Sequence, residues 1–398
     1  MLRALTHPVY RRLFAAQVVA LTGTGLATVA LGLLAYDLAG ADAGAVLGTA
    51  FAIKMLAYVV VAPVAAVVVA RLPRRAVMIG SDVLRLVVAL TLPFVGEVWQ
   101  VFVLIFVLQA ASATFTPTFQ SVIPQVLPDE DDYTSALSLS RLAYDLEAVL
   151  SPVLAAALLL VVPADALFVG TAAGFAGSAL LVGSVVLPRS PVPSAAPFPA
   201  RVRRGAEIFV GTPALRPVLA LNLVVAAAGA FVLVQTVVIV RSVLGLGDGV
   251  VALVLAANGL GSVTAALALP RVLRRLPERR VMLGGAVVLC VATAAVPLAL
   301  HHLAAVCVLW VLVGLGWAAV ETPVGRLIRR EVPAEHLPAA FAAQFSLSHA
   351  CWLLTYPLAG WLGAAGLTLA AVVLAVVATA ATITATALWP VRVLSLRS

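Results

Sequence analysis

Apolar runs of about twenty residues, separated by short charged or Pro/Gly-rich breaks, recur along nearly the whole chain. Each run is long enough to cross the hydrocarbon core of a bilayer as a helix. The pattern predicts spans near residues 13–37, 44–69, 77–95, 99–123, 135–162 and 166–187 in the first half. The second half supplies spans near 214–240, 249–270, 281–300, 303–327, 339–362 and 366–388. The expected fold is an all-α membrane protein of twelve transmembrane helices.

The arginines orient these spans. Arg11-Arg12, Arg71 to Arg75, Arg201 to Arg204, Arg271 to Arg280, Arg329-Arg330, and Arg392 with Arg397 all fall on one side when the spans alternate. The opposite loops carry Asp42, Glu97, Asp165 and Asp248, with Arg241 as their clear basic residue. By the positive-inside rule both termini are expected in the cytoplasm, and the chain is read as a multi-pass protein of the inner membrane. The first apolar run follows a basic start, but it is too long for a signal-peptide core and ends without a small-x-small pattern, so it is read as helix 1.

The two halves repeat one another about 205 residues apart. Arg71-Leu72-Pro73-Arg74-Arg75-Ala76-Val77-Met78-Ile79-Gly80 returns as Arg275-Leu276-Pro277-Glu278-Arg279-Arg280-Val281-Met282-Leu283-Gly284. Pro8, Arg11 and Gln17 correspond to Pro213, Arg216 and Asn222, Thr116-Pro117 to Thr322-Pro323, and Pro152 to Pro357. The expected organisation is a six-helix bundle over 1–187, a cytoplasmic linker over 188–212 with Arg201–Val210 as a short interfacial helix, and a second bundle over 213–398. A duplicated membrane bundle is the usual architecture of a secondary transporter, with its ligand site at the seam.

Composition closes off most alternatives. With 63% hydrophobic and 11% charged residues and a mean hydropathy of +1.13, the chain cannot hide its apolar surface from water as a globule. The net charge of +8 follows from the topology signal, so no nucleic-acid partner is expected. Cys290, Cys307 and Cys351 all fall inside apolar runs and read as small core residues. No zinc-binding HExxH, nucleophile elbow or phosphate loop is present, so neither an enzyme nor a cofactor is expected.

The basic loop Arg71-Leu72-Pro73-Arg74-Arg75 resembles the loop between helices 2 and 3 of the major facilitator superfamily, and Arg275, Arg279 and Arg280 lie in its second copy. Phe115-Thr116-Pro117 through Val126-Leu127-Pro128-Asp129-Glu130 to Ala136-Leu137-Ser138 is similar to a segment of the drug:proton antiporter branch that contains macrolide and enterobactin exporters. His7-Pro8-Val9-Tyr10-Arg11-Arg12-Leu13-Phe14 and Ser138 to Glu147 resemble nickel-resistance exporters of the same superfamily. The resemblance implies alternating access, gating by the basic loops, and helices 1, 4, 7 and 10 around a central path. Two positions depart from the family pattern: Ala70 stands where an acidic residue usually precedes the loop, and helix 5 carries Ser151-Pro152 where the antiporter signature has Gly-Pro. Pro152 still interrupts helix 5, and the small residues around it still permit close helix approach.

Ionisable side chains inside the spans are the candidate working groups, since each costs about 2.5–3.5 kcal/mol at a helix centre. Lys54, the chain's sole lysine, sits mid-way along helix 2. Helix 5 carries Arg141, Asp145 and Glu147. Asp82 with Arg85 at i, i+3 and Arg141 with Asp145 at i, i+4 can satisfy each other structurally. Glu147 has no partner at that spacing and is the leading proton site, with Asp145 as a second candidate and Lys54 as a cross-helix ion partner. Gln17, Gln109, Asn222, Gln235, Asn258, Glu321, Gln344 and His349 are expected to line the substrate cavity, the repeat-matched Gln17 and Asn222 foremost. His349, Cys351 and Glu321 together supply a weaker set of transition-metal ligands.

The functional expectation is a proton-linked exporter of a small molecule, acting as a monomer in the lipid bilayer, with the substrate and protons as its other partners. Nickel or cobalt export, proton-coupled uptake, and a non-transporting receptor or scaffold are the alternatives.

Overall fold

The computed structural model describes residues 2–68, 72–187, 207–333 and 337–389. Arg71, Ala70, residues 188–206 of the expected linker and the C-terminal arginines lie outside that set, as do the side chains of Arg141 and Asp145. The described residues are helical and contain no strand.

The first half forms α1 (Pro8–Ala39), α2 (Ala43–Val68), α3 (Arg74–Thr91), α4 (Val98–Val126), α5 (Glu130–Leu158) and α6 (Ala166–Gly183). The second forms α7 (Arg216–Val238), α8 (Asp248–Val272), α9 (Glu278–Ala299), α10 (Leu303–Glu321), α11 (Leu337–Ala365) and α12 (Leu367–Leu388), with a short helix Val324–Glu331 between α10 and α11.

The helix boundaries follow local chemistry. Pro8 opens α1, where its missing N–H costs nothing, and His7 accepts from the Tyr10 N–H at 3.5 Å. Glu97 and Gln100 form a reciprocal capping box at the start of α4, and Asp129 caps α5 by accepting from the Asp132 N–H at 3.0 Å. Gly40, at φ 55°, reverses the chain between α1 and α2, a conformation that a side chain would oppose.

Among the described residues, nine helical runs are long and apolar enough to cross a membrane. They are fewer than the twelve expected spans for identifiable reasons. α1 and α2 are joined by one 3-10 turn and count as the single run Pro8–Tyr58. α5 and α11 contribute no run of their own; α5 is rich in charge, and parts of both fall outside the described side chains. Large apolar side chains face outward, Leu160 at 82% and Leu298 at 85% exposure, which lipid accepts and water does not.

The chain divides into two compact units, Met1–Ser194 with Val234–Gly259, and Ala195–Leu233 with Leu260–Ser398. In the first, α1 packs against α6, α5 and α2, while α3 packs against α4 and α6. Glycine brings α1 and α6 into backbone contact: a Cβ on Gly23 would sit 2.9 Å from the Thr171 carbonyl oxygen, and one on Gly174 would sit 3.0 Å from the Gly23 Cα. The Thr171 hydroxyl donates to the Gly23 carbonyl at 2.9 Å across the same contact. Such close approach holds helices together where lipid removes the hydrophobic drive between them. In the second unit α9 packs against α10 and α12, with Gly285 and Gly316 in the same backbone-to-backbone role.

The arginine predicted on the acidic side of the membrane is neutralised locally. α7 ends in a π-helical turn, Ile239–Val243, whose Arg241 pairs with Asp248 and lies 4.7 Å over the Tyr36 ring. The Ser242 hydroxyl donates to the Tyr36 hydroxyl at 3.0 Å.

Candidate functional site

The polar centre of the first unit is built on one face of α1. Gln17, Thr24, Thr28 and Leu31 recur at helical spacing, and two adjoining clefts open along this stripe and meet at Thr24. The first is lined by Gln17 from α1, Arg85 from α3, Thr116 and Gln120 from α4, and Ser140 and Tyr144 from α5. The second is lined mostly by apolar side chains, with Thr24 and Thr28 from α1, Lys54 from α2 and Gln109 from α4 as its polar members.

Within the first cleft the Ser140 hydroxyl donates to the Gln17 side-chain oxygen at 2.9 Å. The Tyr144 hydroxyl bonds with the Gln17 and Thr116 side chains. Arg85 is almost wholly buried and pairs with Asp82, whose other oxygen accepts from the Ser178 hydroxyl at 2.8 Å. Its guanidinium lies between two rings, 4.5 Å from the Phe115 centroid and 4.5 Å from that of Phe175, where the negative ring faces stabilise the cation. The i, i+3 pairing read from sequence is thus present, and it forms part of the cleft wall.

Lys54 and Glu147 come from α2 and α5 and interact electrostatically with each other. Glu147 reaches this position because α1 carries Gly25: a Cβ there would lie 2.7 Å from Glu147 Oε1 and would collide with Ser151. Ser151 is buried against α1, and Pro152 follows it inside α5. The arrangement is a half-buried carboxylate and a half-buried ammonium within one unit, with the ammonium lining a cleft. Such a pair can exchange a proton against a change in local charge.

The remaining expected residues are dispersed. Asn222 on α7 and Gln344 on α11 bond to each other in the second unit, through Gln344 Nε2 donating at 2.9 Å and Asn222 Nδ2 donating at 3.2 Å. Gln235, fully buried, fills the space beside Gly44, where a Cβ would meet its side-chain oxygen at 2.6 Å. Asn258 is half-buried on α8. His349 bonds through Nδ1 with the Phe345 carbonyl at 2.7 Å and stacks on the Phe345 ring, centroids 3.9 Å apart. Glu321 is electrostatically coupled to Cys351. Among the described residues no three His, Cys, Asp or Glu side chains converge as a metal-binding group.

Of the loop arginines, Arg75 donates to the Gly183 carbonyl at the end of α6, and Arg12 donates to Ser184 O at 2.8 Å beside it. Both cap a helix C-terminus of their own unit. Arg74 is half-buried, while Arg275 and Arg280 are exposed and Arg279 half-buried. In the second copy the ion pairs go instead to Glu278, which takes Arg330 at 3.0 Å and Arg326 at 3.7 Å.

Sequence reasoning missed Gly25, Ser140 and Tyr144, and it assigned Arg85 to structure alone. Glycine and serine in an apolar helix carry no signal of what approaches them, whereas the match of Gln17 to Asn222 did point to the α1 stripe.

No curated protein sequence matches the chain. Among solved structures it is similar to the nucleoside transporter NupG, at 12% identity and a TM-score of 0.72, over 97% of this chain and 100% of that one. It is also similar to a bacterial homolog of the human lysosomal transporter Spinster in an inward-facing, unoccupied conformation, at 13% identity and a TM-score of 0.74, over 96% and 97%. A POT family transporter in complex with a thioalcohol-conjugated peptide aligns at 12% identity and a TM-score of 0.70, over 95% and 96%. At these identities the likeness is one of fold. The family model for the Major Facilitator Superfamily matches residues 13–247 and 219–395, nearly the whole chain, and the protein belongs to that superfamily of multi-pass membrane transporters.

Proposed function

We propose that the protein is a proton-coupled secondary transporter that exports a small molecule across the inner membrane by alternating access, with twelve spans, cytoplasmic termini, and 1–187 and 213–398 as the moving halves joined by 188–212. One observation carries the reading: a carboxylate, Glu147, lies close enough to Lys54 inside the first unit to interact with it electrostatically, and Lys54 lines a cleft whose walls are otherwise mostly apolar. Proton arrival at Glu147 removes the charge opposing Lys54, and the cleft then presents a net cation. A transporter needs a local change of this kind, since a ligand shifts a conformational equilibrium only by its differential affinity for the two states.

Export is the direction suggested by the resemblance of α4 and α5 to drug:proton antiporters. Proton-coupled uptake is favoured by the cleft chemistry, because a protonated Glu147 and an anionic cargo beside Lys54 stabilise each other, and ligands that bind together travel together. Purified protein in proteoliposomes separates the two. An imposed inside-acid gradient drives cargo inward under antiport and fails to do so under symport. Cargo counterflow that ignores pH altogether contradicts proton coupling in either direction.

A further inference from the structure

Each of the two clefts of the first unit has a cation in its wall. Arg85 is the charged residue of the first and Lys54 of the second, and among the described residues lining either cleft there is no carboxylate. Asp82 and Glu147, their acidic neighbours, contribute nothing to the linings. The other polar groups presented to the first cleft are hydroxyls and amides, from Gln17, Thr116, Gln120, Ser140 and Tyr144. Apolar surface comes from side chains such as Leu21 and Phe119.

Arg85 has hydrogen-bonding capacity left over. A guanidinium offers five N–H donors in a fixed fork, and Asp82 engages it through the terminal nitrogen Nη2 while Nε has no acceptor. Nε is itself buried, and a buried donor without a partner carries a desolvation cost, so a small shift of the guanidinium toward an acceptor in the cleft is favoured. The flanking Phe115 and Phe175 rings hold the guanidinium plane in place, so the fork is set before the ligand arrives. Ser178 secures the far oxygen of Asp82, so the pair does not have to break for Arg85 to accept a second oxyanion.

We propose that the first cleft binds an oxyanion borne on an apolar body, with Arg85 as its primary cation, the Ser140, Thr116 and Tyr144 hydroxyls as supporting donors, and Lys54 in the adjoining cleft as a second positive charge. Arginine recognises carboxylates and phosphates alike through paired N–H donors, and the apolar lining accommodates a ring or short alkyl body. This inference rests on the transporter reading and names the cargo class as organic anions.

The test is the thermal midpoint of the full-length, detergent-solubilised protein at constant ionic strength with benzoate, phenyl phosphate or benzamide. Benzoate or phenyl phosphate raises the midpoint by about 3 °C or more at saturation, while neutral benzamide leaves it unchanged. Whichever anion shifts it more identifies the headgroup as carboxylate or phosphate. R85Q abolishes the shift, and R271Q, at an exposed arginine near the end of α8, retains it. If R85Q fails to fold, the charge-balanced D82N/R85Q variant takes its place with the same expected loss. The proposal is overturned if neither anion stabilises the protein, if benzamide does so equally, or if the shift survives in the Arg85 variants. A protein that binds anions but moves nothing in proteoliposomes removes the transporter reading and leaves the site standing; a pH-driven neutral cargo does the reverse.

Discussion

Asn222 and Gln344 form a closed pair of amide hydrogen bonds between α7 and α11, 3.2 Å in one direction and 2.9 Å in the other. The equivalent of Asn222 in the first repeat is Gln17, which likewise reaches the fifth helix of its bundle, where Ser140 donates to it at 2.9 Å. Each repeat therefore ties its first helix to its fifth through a polar contact at this matched position, but the two differ in accessibility. The amides of the second unit are paired with each other, whereas Gln17 lines a cleft.

Removing one member of the Asn222–Gln344 pair takes from the other both of these hydrogen bonds. N222A is expected to destabilise the protein by about 1 kcal/mol, and the N222A/Q344A double variant by less than the sum of the two single changes. Thermal or denaturant unfolding in detergent, analysed as a double-mutant cycle, reads the coupling. Simple additivity would show that the two amides act independently.

The Asp82–Arg85 pair should behave asymmetrically. D82N leaves a buried guanidinium without its counter-charge and is expected to cost about 3 kcal/mol or more, whereas D82N/R85Q, which removes both charges, costs less. Comparison of unfolding midpoints checks the order. A double variant less stable than D82N would mean that the ring sandwich around Arg85, rather than the ion pair, holds this part of α3.

Gly25 is a packing requirement for the place that Ser151 and Glu147 occupy against α1. G25A places a methyl group against Ser151 and close to Glu147, with an expected cost of about 1–3 kcal/mol from overpacking. S151G opens the space again, so G25A/S151G should recover most of the lost stability. Equal unfolding midpoints for G25A and the double variant would show that α1 and α5 separate freely at this point.

Helix positions were legible in the chain because apolar length and charged breaks are one-dimensional signals, and the Asp82–Arg85 pair was legible because i, i+3 spacing fixes a shared helix face. The prominence of Lys54 and Glu147 came from the rarity of charge within apolar runs, and the two do interact electrostatically. Which face of α1 meets α5 was not legible. It depends on Gly25 lacking a side chain where Ser151 and Glu147 arrive, and a glycine in an apolar helix reads the same whether it faces lipid or a neighbour.

The central claim is that Glu147, opposed to Lys54, carries the coupling proton. The most direct test is transport of a cargo moved by the wild-type protein, measured in proteoliposomes for E147Q with and without an imposed pH gradient. The predicted result is loss of gradient-driven accumulation with counterflow exchange retained. Accumulation by E147Q that follows the pH gradient as steeply as the wild type would contradict it.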